Sequence, residues 1–280
     1  MLKATWLGSI FTAVVPRSVE PASVGTVKRM NESKVTGFSL GGYAYGEGDR
    51  LALFFTREMG KIRVAARGAR KSGSKTSVLT ELFNECELAL TRRSGSEVHT
   101  LIQGRLLDAR IGLKSHLASL SALQVLSDIL RSALPDDEPQ PELFRVLENT
   151  LNRIALAPNR PETSLAAFIL RFLDLGGYPL SLEVCASCGE AARGPGCLSV
   201  RRGGWACAEC VSSPGEGPDL SAGALVILKK LREEGSGTIS AALAAHSRPA
   251  FKAAALYLSH TLEHELATVE YFLKVTESLK

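Results

Sequence analysis

Apolar residues take every second position in Lys61-Ile62-Arg63-Val64-Ala65-Ala66-Arg67 and again in Glu85-Cys86-Glu87-Leu88-Ala89-Leu90, the repeat that a sheet with one buried face requires. From residue 35 to about residue 110 the chain falls into five short segments of this kind, bounded by Gly and polar residues, which predicts strands over 36–44, 49–55, 61–67, 82–92 and 97–110. The period then changes. Leu113, Leu117, Leu120, Leu123, Leu126, Leu130 and Leu134 recur every three or four residues until Pro135, which predicts a helix with one apolar face. A second helix runs from Pro141 through Leu143, Leu147, Leu151 and Ile154, and a third carries Leu165, Phe168, Phe172 and Leu175 before Gly176-Gly177 stops it. Further helices are predicted over Ser221 to Glu234 and, as one long element, from Pro249 to about Leu279.

Five evenly spaced strands followed by helices predict an α+β fold: an N-terminal OB-fold five-stranded β-barrel, then an α-helical domain with an inserted four-cysteine zinc ribbon. The expected division is a flexible N-terminal extension over 1–34, a barrel domain over 35–112 and a helical domain over 113–280, interrupted by the ribbon at 183–213. The extension is inferred from missing periodicity and from Pro16, Pro21 and Gly25, and Met30 is an alternative start. No internal repeat of solenoid length is visible.

Composition narrows the classes. With 280 residues and 45% hydrophobic content the chain can bury a substantial core, which excludes wholesale disorder. No apolar run reaches the roughly 18 residues of a membrane span, so a soluble protein without membrane attachment is expected. The start, MLKATWLGSIFTAVVP, lacks a clear cleavage site. Residues 1–112 carry 17 basic and 10 acidic side chains, and the remainder 16 and 19, so the barrel half stands at +7 and the rest at −3. A polyanion partner and a solvated basic face both explain that imbalance.

Five of six cysteines lie between residues 185 and 210, and four form Cys185-x2-Cys188 and Cys207-x2-Cys210. Each CxxC knuckle offers two thiolates on one turn, and two knuckles supply a closed tetrahedral set for one structural zinc per chain, with no open position for catalysis. Gly189 and Gly203-Gly204 give the backbone room to fold back. Cys197 is then a spare and Cys86 a core residue. A redox CxxC is the rival reading, but its βαβ setting is missing. Thiolate metal ligands suit a reducing, cytoplasmic compartment.

The second cluster is basic: Arg57, Lys61, Arg63, Arg67, Arg70, Lys71 and Lys75, opposed within the run only by Glu58. Strand alternation puts Lys61, Arg63 and Arg67 on the exposed face and Arg70, Lys71 and Lys75 in the Gly/Ser-rich loop beyond it, an arrangement suited to phosphates. Tyr43, Tyr45, Phe54 and Phe55 are candidates for base stacking or for the core.

Two enzyme motifs nearly match. Gly68 to Thr76 resembles a phosphate-binding loop, but Ser74 stands between the second glycine and Lys75, which removes the lysine from its required place. His260-x-x-Glu263-His264 matches an inverted zinc-protease motif, yet only sixteen residues follow it to supply a third ligand. No catalytic residue is therefore predicted.

Several stretches carry a family resemblance. They are Tyr45-Gly46-Glu47-Gly48-Asp49-Arg50-Leu51, Phe54-Phe55-Thr56-Arg57-Glu58-Met59-Gly60-Lys61, and Ala66-Arg67-Gly68-Ala69-Arg70-Lys71 with Ser74. Leu143-Phe144 and Leu175-Gly176-Gly177-Tyr178-Pro179 follow, leading into Cys185-Ala186-Ser187-Cys188-Gly189. In order and spacing, over roughly residues 35–215, they resemble the RecO family of bacterial recombination mediators; the Gly-Tyr-Pro segment is shorter than usual, and the last part matches only in being helical. The resemblance implies a non-enzymatic DNA repair protein that binds single- and double-stranded DNA and anneals complementary strands. It further implies action with RecR in loading RecA onto DNA coated by single-stranded DNA-binding protein, whose acidic C-terminal tail the helical part contacts. The expected place is the bacterial cytoplasm, at the nucleoid during repair. Arg50, Lys61, Arg63, Arg67, Arg70, Lys71 and Lys75 are the expected DNA contacts. The alternative is a zinc-stabilised protein adaptor without DNA-pairing activity.

Overall fold

The alternating segments pair edge to edge until no edge is left. In the computed structural model, which describes residues 31–211, 217–234 and 241–279, they form β1 (Asn31–Tyr45), β2 (Asp49–Thr56), β3 (Gly60–Ala66), β4 (Glu85–Arg92) and β5 (Val98–Asp108). These close into a barrel in the order β1-β2-β3-β5-β4. Every pairing is antiparallel except β3 with β5, which run parallel at Arg63–Ala65 against Val98–Thr100. A five-residue helix, α1 (Lys75–Leu79), lies between β3 and β4. This is the OB-like barrel that the strand spacing predicts.

Two boundaries differ from expectation. Residues 31–34, assigned to the flexible extension, pair with residues 89–92 of β4; the ladder there uses backbone groups and needs no apolar side chain, so periodicity is blind to it. Residues 1–30 of that predicted extension lie outside the described residues. The predicted 82–92 strand starts only at Glu85, because Phe83 is left-handed (φ 52°) and donates its amide to Ser39 O.

Val35, Ala52, Phe54, Ile62, Val64, Cys86, Leu88 and Leu90 fill the barrel interior. The outer face is not all exposed. Ile129–Phe144 belongs to the same compact unit as the barrel, and Phe144 lies 5.3 Å from Phe38 and 5.5 Å from Phe55, ring centre to ring centre. The consecutive Phe54 and Phe55 are thus both fully buried, one inside the barrel and one beneath this cover. Each such burial contributes on the order of 2 kcal/mol.

The other unit comprises Ile111–Asp128 and the chain from Arg145 onward. The other helices among the described residues are α2 (Ile111–Lys114), α3 (Leu117–Ala133), α4 (Pro141–Leu156), α5 (Glu162–Leu175), α6 (Ala222–Glu234), α7 (Ala241–Ala244), α8 (Ser247–Leu262) and α9 (Ala267–Ser278). A small sheet, β7-β6-β8, comes from β6 (Gly196–Ser199), β7 (Gly204–Cys207) and β8 (Asp219–Leu220). α5 is buried along nearly its whole length and packs against α6 and α8. The single long helix expected from Pro249 to Leu279 is two helices. Glu263 turns left-handed (φ 50°), and the amides of Glu263 and His264 bond back to His260 O and Ser259 O, closing α8. Phe251 and Phe272 then meet edge to face at 5.1 Å, joining α8 to α9. Among the described residues no helix is long and apolar enough to cross a membrane.

Candidate nucleic-acid interface and metal centre

A register shift between Ser39 and Gly42 divides β1 in two. Before it, Ser39 pairs with Phe54 on the inward parity; after it, Gly42 pairs with the inward Ala52, so the inward positions change from odd to even. The bulge therefore turns Tyr43 and Tyr45 to the outer face, where they pair with Leu51 and Asp49 and each stands 53% exposed. The loop after β3 is tied to the same end of the barrel. Asp49 accepts from Gly68 N at 2.8 Å, Arg70 N donates to Gly48 O at 3.0 Å, and the Arg70 guanidinium reaches Gly46 O at 3.3 Å. Arg67, Arg70, Lys71 and Lys75 are all exposed there. Arg67, Lys71 and Lys75 make no ion pair among the described residues. Two phenol rings and four cations thus share one open rim.

Lys61 is a correction. The alternation places it outward as predicted, opposite Phe55, but that part of the outer face lies under Ile129–Phe144 and Lys61 is only 7% exposed. Its ammonium donates to Arg131 O at 2.9 Å and pairs with Asp136 at 3.2 Å. Burial pulls the Lys61 pKa below its ordinary value, and Asp136 opposes that shift. Arg63 is held by the other Asp136 oxygen at 2.8 Å. Asp137 binds Arg92 and the buried His99, each at 2.8 Å. Arg50 is half-buried, with its guanidinium on Thr80 Oγ1 and Gly42 O. Of the expected phosphate contacts, Lys61, Arg63 and Arg50 are occupied within the fold, and Phe54 and Phe55 are core. Asp136 and Asp137 were not singled out from sequence, since a short acidic run before a proline reads as a loop; only their place over β3 gives them a role.

The four cysteines come together as their spacing predicts. The Sγ atoms of Cys185, Cys188, Cys207 and Cys210 all lie within 4.8 Å of one another, with Cys185–Cys207 at 3.8 Å and Cys188–Cys207 at 3.9 Å. Four thiolates about 2.3 Å from one tetrahedral ion stand about 3.8 Å apart, so this group could hold a metal ion. Backbone pairing builds the site: Ala186 N donates to Trp205 O at 2.8 Å, which ties the first knuckle to β7, and Cys207 N and Ser187 N both point at Cys185 Sγ at 3.4 Å. Gly189 and Gly203 take the positive φ that the turns need. Burial raises the Cys185 thiol, yet backbone N–H groups from Cys188, Cys207 and Ser187 outweigh it and bring the pKa to about 6. The Cys207 and Cys188 sulfurs push Cys210 up to about 12. Cys197 is buried in β6 outside the quartet, and Cys86 is in the barrel core.

The enzyme near-misses stay apart from any such cluster. His260 lies in the last turn of α8 while Glu263 and His264 lie beyond its end, so the two histidines do not share a helical face. Among the described residues the cysteine quartet is the only group of metal-ligating side chains. Ser74 caps α1, accepting from Thr76 N, and that helix is a little over one turn long.

Comparison with known proteins agrees with this architecture. The profile described as Recombination protein O N terminal matches residues 30–110, and that described as Recombination protein O C terminal matches residues 114–270. The DNA repair protein RecO of Anaeromyxobacter dehalogenans (strain 2CP-1) is 32% identical over 238 residues, covering 85% of this chain and 92% of the relative. RecO of Myxococcus xanthus is 31% identical over 82% of this chain and 93% of its own length. RecO of Synechococcus (strain JA-3-3Ab) is 35% identical over 63% and 62%. With both halves matched in order, and with the barrel, helices and cysteine quartet in place, the chain belongs to the RecO family of DNA repair proteins.

Proposed function

We propose that the open rim of the barrel binds the phosphate backbones of single- and double-stranded DNA, and that the protein anneals complementary strands as a non-enzymatic recombination mediator. The observation that carries this is the exposed set Arg67, Arg70, Lys71 and Lys75, fixed to one end of an OB-like barrel in a chain of a DNA repair family. Cations there neutralise two strands at once and lower their mutual repulsion while bases pair. Lys61, Arg63 and Arg50 are held in internal contacts and contribute less to DNA binding.

In this reading the protein acts with RecR to load RecA onto DNA coated by single-stranded DNA-binding protein, and its helical domain (113–280) receives that protein's C-terminal tail. The barrel domain (35–112) supplies DNA contact. The cysteine quartet holds one zinc, which supplies cross-linking of the two knuckles and no chemistry at DNA. The place of action is the cytoplasm, at the nucleoid.

The test is annealing of complementary oligonucleotides precoated with the cognate single-stranded DNA-binding protein, without nucleotide. Acceleration is expected, and it should be lost in the Arg67→Glu, Arg70→Glu, Lys71→Glu triple variant, whose affinity falls alike on all sequences. Annealing that is absent, or unchanged in the triple variant, overturns the reading.

A further inference from the structure

Tyr43 and Tyr45 are large aromatic residues left half-exposed on a strand whose other phenylalanine partners are fully buried. The bulge at Gly41-Gly42 is what puts them outside, since strict alternation from Ser39 would have carried them into the barrel. Residues two apart on a strand have their Cα atoms about 6.7 Å apart and their side chains on one face. Neither ring pairs with another aromatic ring of the chain among the described residues. The loop bearing Arg67, Arg70 and Lys71 is hydrogen-bonded to Gly46 and Gly48, one and three residues beyond Tyr45. Aromatic faces beside cations suit a ligand that has both flat π-surfaces and negative charge along its length. A duplex keeps its base faces stacked inside and offers only its phosphates, whereas a single strand offers both.

We infer that Tyr43 and Tyr45 form a stacking platform for two unpaired bases, which makes the rim prefer single strands and weakens its hold on the duplex once pairing has hidden the bases. This rests on the reading of the rim as the DNA site and adds its specificity. The platform is sequence-tolerant, because every base has a π-face. It grips the substrate of annealing and not the product: the phosphates hold both, the tyrosines only the first. Release then follows from base pairing itself and needs no nucleotide.

The experiment compares three fluorescent probes of equal length, about 16 nucleotides, the upper end of single-strand site sizes: a single strand, an abasic strand with the same phosphates, and a hairpin duplex. The Tyr43→Val, Tyr45→Val protein keeps β-forming residues at both positions. It is expected to lose at least about 30-fold in affinity for the single strand, the low end for two stacked bases. Its affinity for the abasic strand and the duplex should stay within about 2-fold, and its salt slope should not change. The Tyr43→Phe, Tyr45→Phe protein retains the rings and should bind as the parent does. An equal loss on all three probes, or no loss on the single strand, overturns the platform. Full-length protein of the parent sequence that fails to bind single strands would overturn both the platform and the DNA site. Loss of binding in the Arg67/Arg70/Lys71 triple variant, with the valine variant unaffected, would leave the DNA site standing and remove the platform alone.

Discussion

Two ends of the same outer barrel face carry the same residue types and have opposite fates. At one end Phe38, Phe55 and Lys61 lie under Ile129–Phe144, the rings packed on Phe144, and Asp136 holds both Lys61 and the partly exposed Arg63. At the other, beyond the bulge, Tyr43, Tyr45, Arg67, Arg70 and Lys71 stand in solvent. An aromatic ring or a cation is therefore not a functional residue by type. What separates the two ends is whether the chain itself supplies the partner: a buried ammonium needs its carboxylate, because desolvation is otherwise uncompensated, while an exposed one loses little by waiting for a phosphate.

The comparison predicts large stability effects and no binding effects at the covered end, and the reverse at the open end. The largest effect is expected for Phe144→Ala, which leaves a cavity between Phe38 and Phe55 and should cost about 3–5 kcal/mol in denaturant unfolding. DNA affinity per folded molecule should be unchanged; a specific loss of affinity would break the division between the ends.

Next is Asp136→Ala, which strands Lys61 at 7% exposure and leaves Arg63 only its pairing with Glu97. A cost of about 3 kcal/mol is expected near neutral pH. The pKa of Lys61 is lower in the folded protein than in the unfolded chain, so folding carries its full cost below the folded value, and the cost fades as pH rises through that value. Removing Asp136 lowers the folded pKa further. The variant should therefore regain stability relative to the parent as pH rises from neutral toward about 10. Unfolding curves across that range check the sign. Lys61→Met, which keeps an apolar stem, should cost less than Asp136→Ala, because the Asp136 carboxylate it leaves behind is partly exposed and still pairs with Arg63.

A smaller cost, about 2 kcal/mol, is expected for Gly60→Ala. Gly60 has φ +69°, and a Cβ there would stand 1.8 Å from Glu138 O, so the turn between β2 and β3 or the cover over it must shift. Thermal melting measures this, and an unperturbed melting point would show that the cover is loosely held.

The smallest stability effect belongs to the open end. Arg67→Gln, Arg70→Gln, Lys71→Gln should change stability by less than about 0.5 kcal/mol. It should also flatten the salt dependence of single-strand binding by about 2 in logarithmic slope, about 0.7 for each lost phosphate contact. Binding titrations at several salt concentrations decide this. A flat slope in the parent would remove the open end as a phosphate site.

Much of the architecture is legible in local pattern. A period of two over 61–67 and 85–90 and a period of three to four after Leu113 are backbone geometry expressed as burial, and they yield the barrel and the helices. The cysteine quartet is equally legible, because the spacing within each CxxC knuckle is set by one turn and its chemistry needs no distant residue. The α8–α9 break is less so: Tyr257, Leu258 and Leu262 continue the apolar stripe almost to Glu263, and the left-handed turn there is a backbone event with no periodic signature.

By itself, then, the sequence determined which segments pair as strands, which coil, where sulfur ligands meet, and that the barrel half carries excess positive charge, since each depends on neighbours close along the chain. Which cations are free depended on Ile129–Phe144, some seventy residues from β3 along the chain, folding over that strand. The outward turn of Tyr43 and Tyr45 depended on the bulge, which shows only in the register between β1 and β2. Burial and register are properties of packed surfaces, and residue order carries them only through the fold it produces.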